Sequence, residues 1–171
     1  MKLQHLPLLL AMTAGLASTA VQAATTGTLR FVGQVNAGTC NLAAGDENRT
    51  ITLPTVKVSD FDKTVYAGEL DFNISADCES DIRNVIFLFA GTPSPGNGLL
   101  FTNTGTSDGT ALWLRSGATI PANGTTEERS RTVATSGNRA VLPLQAAYHK
   151  SEGAVTQGTL ASAVTVSITY N

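Results

Sequence analysis

The sequence contains few charged residues and no basic cluster. Asp, Glu, Lys and Arg make up 14% of its 171 residues, and the formal net charge is −2. Because binding to nucleic acid phosphates requires clustered Lys and Arg, nucleic acid is not an expected partner. The abundant residues are small ones, mainly Gly, Ala, Ser and Thr. This composition favours closely stacked strands over a charged helical surface.

Motifs for catalysis are scarce as well. Of the two histidines, only His149 lies beyond residue 23. A metal site built on a His pair is therefore not expected, and a Ser-His-Asp triad would depend on this one residue. Neither a G-x-S-x-G motif nor a P-loop occurs. We expect no enzyme activity, no catalytic residue, no metal and no cofactor, and we expect Asp60, Asp62, Glu79 and Asp81 to be solvated in loops.

No apolar stretch matches the length of about 20 residues that a membrane-spanning helix needs. The first 23 residues, MKLQHLPLLLAMTAGLASTAVQA, combine one Lys, a shorter apolar stretch and small residues near the end. This pattern is typical of a secretory signal peptide. Cleavage after Ala23 would leave 148 of the 171 residues. That length suits a single domain of about 100 to 150 residues.

Cysteine is limited to Cys40 and Cys78. An exported chain meets an oxidising compartment, in which such a pair usually forms a disulfide. The alternative is a metal or redox site. The 38-residue separation, the lack of a C-x-x-C motif and the lack of a nearby His make that alternative less favourable.

A helical period is also missing after residue 23, where short apolar or alternating runs are separated by turn residues. Many short strands at this spacing predict an antiparallel β-sandwich. The single Trp113 lies beyond both cysteines, whereas a true immunoglobulin domain has its Trp between them. We predict loops at 91–98 and 102–110, and strands at 28–36, 50–58, 69–77, 83–90, 110–115, 131–135, 139–148 and 158–170.

Two of these predicted strands lie near the ends of the sequence. In GTLASAVTVSITYN, apolar and small polar residues alternate from Gly158 onward, and the sequence ends there, so we expect no later segment to pair with the far edge. In TTGTLRFVGQVNAG, one face carries residues 27, 29, 31, 33 and 35. No Asn-Gly turn links this segment to a hairpin neighbour, so its partner is distant in the sequence or in another molecule.

Two arrangements of these strands are open. The N-terminal strand could fold back and pair with the C-terminal strand of the same chain. Alternatively, the domain lacks its last strand and accepts the N-terminal strand of another molecule, as in β-strand addition. A head-to-tail contact of the second kind does not close on itself, so it generates a filament.

Five features together resemble the structural subunits of chaperone–usher fimbriae, such as the major pilins of type 1 fimbriae. They are GTLRFVGQV, the cysteine in VNAGTC, the second cysteine in LDFNISADC, the late LPLQAAY, and an ending with Gly158 fourteenth from the C-terminus and Tyr170 next to last. The similarity extends over essentially the whole chain after residue 23.

The resemblance implies an all-β fold: an incomplete immunoglobulin-like β-sandwich that lacks its last strand and is completed by a donor strand from a neighbouring subunit. Beside the signal peptide at 1–23, residues 24–38 would form the donor-strand extension and residues 39–171 the pilin domain. Cys40 and Cys78 match the family disulfide. The donor residues would be Gly27, Leu29, Phe31, Gly33 and Val35, and the strand that forms one groove wall and binds the chaperone would include Gly158, Leu160, Val164, Val166, Ile168 and Tyr170.

The implied function is that of a structural subunit of a fimbria on the bacterial surface, exported through the periplasm, which polymerises by donor-strand exchange and supports adhesion. The implied partners are other fimbrial subunits in a head-to-tail homopolymer, a periplasmic chaperone and an outer-membrane usher. The alternative is a minor adaptor or terminator subunit, or a secreted carbohydrate-binding adhesin module.

Overall fold

The computed structural model describes residues 28–171. The predicted signal peptide at 1–23 and the predicted donor residue Gly27 lie outside the described residues. The chain divides into two units, Met1–Val35 and Asn36–Asn171, and every assigned strand belongs to the second. Between residues 28 and 171, no helix is long and apolar enough to cross a membrane.

The described residues form antiparallel strands and one short 3-10 helix, Val58–Phe61. The strands are β1 Cys40–Leu42, β2 Tyr66–Cys78, β3 Asn84–Gly91, β4 Pro93–Ser94, β5 Asn97–Phe101, β6 Thr110–Ser116, β7 Ala118–Thr119, β8 Ser130–Ala134, β9 Arg139–Lys150 and β10 Val164–Tyr170.

These strands are arranged in two sheets. The larger sheet has the order β1-β2-β9-β6-β5-β4, and β7 pairs with β6. Its longest ladder joins β2 to β9, from Tyr66 opposite His149 to Asp77 opposite Arg139, with a bulge between Ala67 and Leu70. The smaller sheet has the order β10-β3-β8. Its central strand β3 is therefore paired on both sides, whereas β10 lies at an edge.

One hydrophobic core lies between the two sheets. Val85, Phe87 and Phe89 alternate along β3, and each is at most 1% exposed. They belong to one cluster with inward-facing residues of the larger sheet, including Leu114 and Leu144. The period-two pattern of β3 therefore places every second side chain in the core, as expected for a sandwich.

Arg131 of β8 links the two sheets at one end. Its guanidinium donates hydrogen bonds to the backbone oxygens of Ser116, Ala118 and Thr119, at 3.1, 2.9 and 3.0 Å. Partial burial lowers the pKa of Arg131, because desolvation disfavours the charged form.

Five predicted strands are confirmed within a few residues, namely those at 69–77, 83–90, 110–115, 131–135 and 139–148. The short strands β1, β4, β5 and β7 were missed by the sequence patterns. Two of them, β4 and β5, include residues of the predicted loop at 91–98. Pro and Gly are abundant in that stretch and indicate turns, and the strand residues there pair with each other on either side of a turn, with Ser94 opposite Asn97.

The strand predictions at 28–36 and 50–58 are wrong for the isolated chain, because neither segment is assigned to a strand. A strand requires pairing in a ladder, and neither segment belongs to a ladder of the described residues. The predicted C-terminal strand at 158–170 is correct only from Val164 onward. Its ladder with β3 begins at the pair Val164 and Gly91, so the residues before Val164 have no partner in β3.

Cys40 and Cys78 form a disulfide and lie directly opposite each other in the β1–β2 ladder. The bridge closes a loop with a sequence separation of 38 residues. It joins the three-residue edge strand β1 to the end of the long strand β2.

We expect the disulfide to stabilise the domain by about 4 kcal/mol through loop closure. Replacing both cysteines by Ala should lower the free energy of unfolding by about this amount, measured by guanidinium unfolding of the processed chain. Treating the unmodified chain with a reductant should give a similar loss, whereas the double variant should not respond to it. An unchanged unfolding midpoint in the double variant would contradict this prediction.

Candidate functional site

An open groove of about 890 Å³ lies along one side of the sandwich. Its floor is apolar and is formed by inward-facing residues of β2, β9 and β6. Residues 46–53 line one side of the groove, and residues 160–166 line the other. The floor residues are Phe72, Ile74, Leu112, Leu114, Leu144, Ala146 and Tyr148, joined by Phe89 of β3.

The side of the groove lined by residues 160–166 is the first wall, and it contains the start of the edge strand β10. Asn171 and Asn84 exchange two backbone hydrogen bonds, each of 3.1 Å, so this pair is a hydrogen-bonded pair. Because hydrogen-bonded and non-hydrogen-bonded pairs alternate along an antiparallel ladder, Val164, Val166 and Ile168 direct their N–H and C=O groups away from β3. No strand within residues 28–171 pairs with that edge.

The same three residues pack their side chains against the core. The apolar face of β10 thus points toward the core, while its unpaired backbone groups lie in the plane of the sheet and point away from β3. Of the predicted wall residues, Leu160, Val164 and Val166 line the groove. Ile168 packs against the core outside this lining, and Tyr170 is 39% exposed.

The second wall is the segment that follows β1. Residues 50–56 make no backbone hydrogen bond in the described part of the chain. Ile51, Leu53 and Val56 are nevertheless half-buried, so these apolar side chains are partly covered without a ladder. The start of this wall is fixed because Asp46 accepts hydrogen bonds from Arg49 and from the backbone N–H of Ser75, at 3.1 and 2.9 Å.

The part of the first wall that precedes β10 packs on the loop at 102–109. The backbone N–H of Ser107 donates to the oxygen of Thr159 at 3.0 Å, and the N–H of Thr104 donates to the oxygen of Ala161 at 2.7 Å. Gly158 makes the close approach possible, because a Cβ at this position would overlap the backbone of Thr106 and Ser107. The sequence indicated only turns in this loop, so its contact with the groove wall was missed.

The predicted donor residues lie in the other unit of the chain. Leu29, Phe31 and Val35 are 82%, 89% and 99% exposed. A Cβ at Gly33 would meet no atom within 4 Å. Three large apolar side chains at alternating positions of one segment are therefore exposed to solvent, which is unusual for a segment with no further partner.

Two hydrogen bonds fix the backbone near the start of the second unit. Asp81 accepts a hydrogen bond from the N–H of Gly38 at 2.8 Å, and Glu79 accepts one from the N–H of Thr39 at 3.2 Å. A side chain at position 38 would overlap the carboxylate of Asp81. Both acidic residues are exposed in a loop, as expected, but they also hold the point at which residues 24–38 join the strands.

The residues considered for other chemistry contact their neighbours on the larger sheet. His149 lies in β9 with its ring 6.1 Å from that of Trp113, and its Nδ1 is 2.6 Å from the oxygen of Lys150. Trp113 also contacts Tyr66, lies under the guanidinium of Arg115 and donates to Thr119. In the part of the chain that the structure describes, no group of His, Cys, Asp or Glu is placed to hold a metal ion.

Two comparisons with known proteins indicate the same family. The family model described as Fimbrial protein matches residues 29–171. The type-1 fimbrial protein, A chain, of Escherichia coli strain K12 is 27% identical over 184 aligned positions, which cover 99% of this chain and all of the relative.

Solved structures share the fold. The P pilus rod subunit PapA matches with a TM-score of 0.63 and 20% identity, over 77% of this chain and 99% of that one. A subunit of a chaperone–usher pilus matches with a TM-score of 0.65 and 20% identity, over 85% of this chain and 96% of that one.

Replacing Gly158 by Ala should destabilise the domain by about 1–3 kcal/mol, the usual range for overpacking. The new methyl group would meet the backbone of the loop, which cannot rotate away. Gly33→Ala is the control, because a Cβ at Gly33 would meet no atom within 4 Å. Guanidinium unfolding of both variants tests this prediction, and equal midpoints for the two would contradict it.

Proposed function

This chain belongs to the fimbrial protein family, and we propose that it polymerises by donor-strand exchange, with residues 24–38 of one subunit filling the groove of the next. It is a structural subunit of a bacterial surface fimbria and is exported to the cell surface. Its fold is an incomplete immunoglobulin-like sandwich.

The observation that carries the proposal is a groove with two unpaired backbone edges. The outward groups of Val164, Val166 and Ile168 lie on one wall, and residues 50–56 on the other have no backbone partner in the described chain. A single extended segment between the walls could bond to both. Unpaired strand edges are sites of association in other proteins, so this arrangement favours strand addition.

The donor segment has the composition that such a groove requires. Leu29, Phe31 and Val35 lie on one face of an extended chain, and the groove floor is apolar. Burying these three side chains would contribute about 5–9 kcal/mol, at about 1.5–3 kcal/mol each. Gly33 would then lie where the groove floor leaves no room for a side chain.

The donor segment and the groove belong to one chain, so each subunit can both donate a strand and accept one. A contact of this type is head to tail and extends into a filament. Dissociation would require the whole ladder to break together, so the fibre should be kinetically stable.

Before assembly, the apolar groove would promote aggregation. We therefore propose that a periplasmic chaperone covers the groove by bonding to β10 and that an outer-membrane usher receives the complex. The same role leaves no need for catalysis, and we propose that the protein is not an enzyme. The open groove does not favour the alternative of a terminating subunit, and the engaged Trp113 ring does not favour a carbohydrate-binding module.

Phe31→Asp should abolish polymerisation, because a carboxylate cannot enter an apolar groove without a partner. The measurement is the loss of SDS-resistant ladders from cells or from purified chain. Val32→Asp is the control, since Val32 lies on the opposite face of an extended segment. Ladders should persist in the control. Normal ladders in Phe31→Asp would contradict the donor assignment.

Deleting residues 24–36 should leave a folded domain that accepts a strand but cannot donate one. Co-expressed with a fimbrial chaperone, the shortened chain should be recovered as a one-to-one complex, and mass measurement should detect no polymer. Incorporation into fibres at the frequency of the full chain would show that another segment is the donor.

A further inference from the structure

The groove wall that contains β10 is held in two different ways. From Val164 onward it pairs with β3, but the preceding residues have no partner in that strand. Leu160 nevertheless lines the groove. The loop at 102–109 supports this part of the wall, and the side chain of Asn103 forms five hydrogen bonds, two of them to the wall.

The carboxamide of Asn103 binds the loop and the wall at the same time. Its Oδ1 accepts hydrogen bonds from the backbone N–H of Gly105 at 2.7 Å and of Ala161 at 2.9 Å. Its Nδ2 donates to the backbone oxygens of Ser107 at 2.8 Å and Thr159 at 3.3 Å. It also donates to Oγ1 of Thr110, in β6, at 3.1 Å. The two amide hydrogens are therefore shared among three acceptors.

The two wall residues that Asn103 binds are Thr159 and Ala161, the immediate neighbours of Leu160. Ala161 is held from its other side as well, because its carbonyl oxygen accepts hydrogen bonds from the N–H and Oγ1 of Thr104 at 2.7 and 3.1 Å. Fixing the backbone on both sides of Leu160 fixes the direction of its side chain toward the groove.

We propose that Asn103 is a positioning residue for donor-strand insertion: it sets the Leu160 part of the groove wall before the donor arrives. This inference rests on the proposed function. Because the wall becomes ordered when the domain folds, the inserting strand does not have to order it, and capture of the strand is faster. Only a side chain with both a donor and an acceptor at this length can make the five contacts.

The substitution Asn103→Asp keeps the contacts in which the side chain accepts a hydrogen bond and removes those in which it donates one. It keeps an oxygen for Gly105 and Ala161 but places a second oxygen against the carbonyl oxygens of Ser107 and Thr159. Thr156 still binds Asp108 and Ser107, so the wall stays attached to the loop. The variant should fold, with loosening confined to the residues near Leu160.

The test uses the processed full-length chain, refolded in an excess of a fluorescent peptide with the sequence of residues 24–38. The rate of peptide capture is followed as an SDS-resistant labelled band, and the unfolding midpoint of the loaded chain is measured in guanidinium. We expect the capture rate to fall at least tenfold in Asn103→Asp and in Asn103→Ala.

Two controls separate positioning from general stability. Asn97→Asp changes an amide of β5 whose side chain accepts one backbone hydrogen bond, from Leu99, and should leave the capture rate within twofold of the original. Val133→Ala loosens the core outside the groove lining and should lower the unfolding midpoint without slowing capture.

The inference is overturned if Asn103→Asp captures the peptide within twofold of the unsubstituted chain, or is slowed no more than Val133→Ala at a comparable midpoint. If the unsubstituted chain captures no peptide, donor-strand exchange itself fails and the inference fails with it. Slow capture in both Asn103 variants, with rapid capture in both controls, supports it.

Discussion

The backbone hydrogen bond is the constraint on which this structure depends. A sandwich of this size satisfies most of its main-chain groups in ladders, and the interior of the smaller sheet does so through β3, which has a partner on each side. At the groove the rule is not met within residues 28–171, because β10 and residues 50–53 lie on opposite sides of the groove and do not pair. The groove is therefore a defect in pairing, and its apolar floor follows from the missing strand.

This constraint also explains which predictions from sequence succeeded. Strands such as β3 and β9 pair within the chain, so their apolar runs were sufficient to locate them. Apolar patterns were also present at 28–36 and 50–58, but neither segment is a strand here. The spacing of apolar residues indicates which side chains become buried, whereas a strand also requires a hydrogen-bonded neighbouring strand. In the proposed fibre, these two segments would gain their partners from different molecules.

The candidate site was predictable in part. The inward positions of β10 follow from its alternation, and the cysteine pair follows from the exported character of the chain. The support of the wall was not predictable, because it consists of side-chain to backbone hydrogen bonds between the loop at 102–109 and residues 156–161, far apart in sequence. Asn103, Gly105 and Thr106 resemble any other turn residues, and only their tertiary partners distinguish them.

Side-chain support has a physical advantage at this position. If residues 158–163 continued the β3 ladder, their backbone groups would alternate as those of β10 do, and the wall would run straight. The amide of Asn103 instead takes the N–H of Ala161 and the oxygen of Thr159, two groups that a continuous ladder would bond elsewhere. The wall can then follow the loop while Leu160 still faces the groove. In the proposed assembly, the groove that accepts a foreign strand is thus shaped by a polar loop outside it.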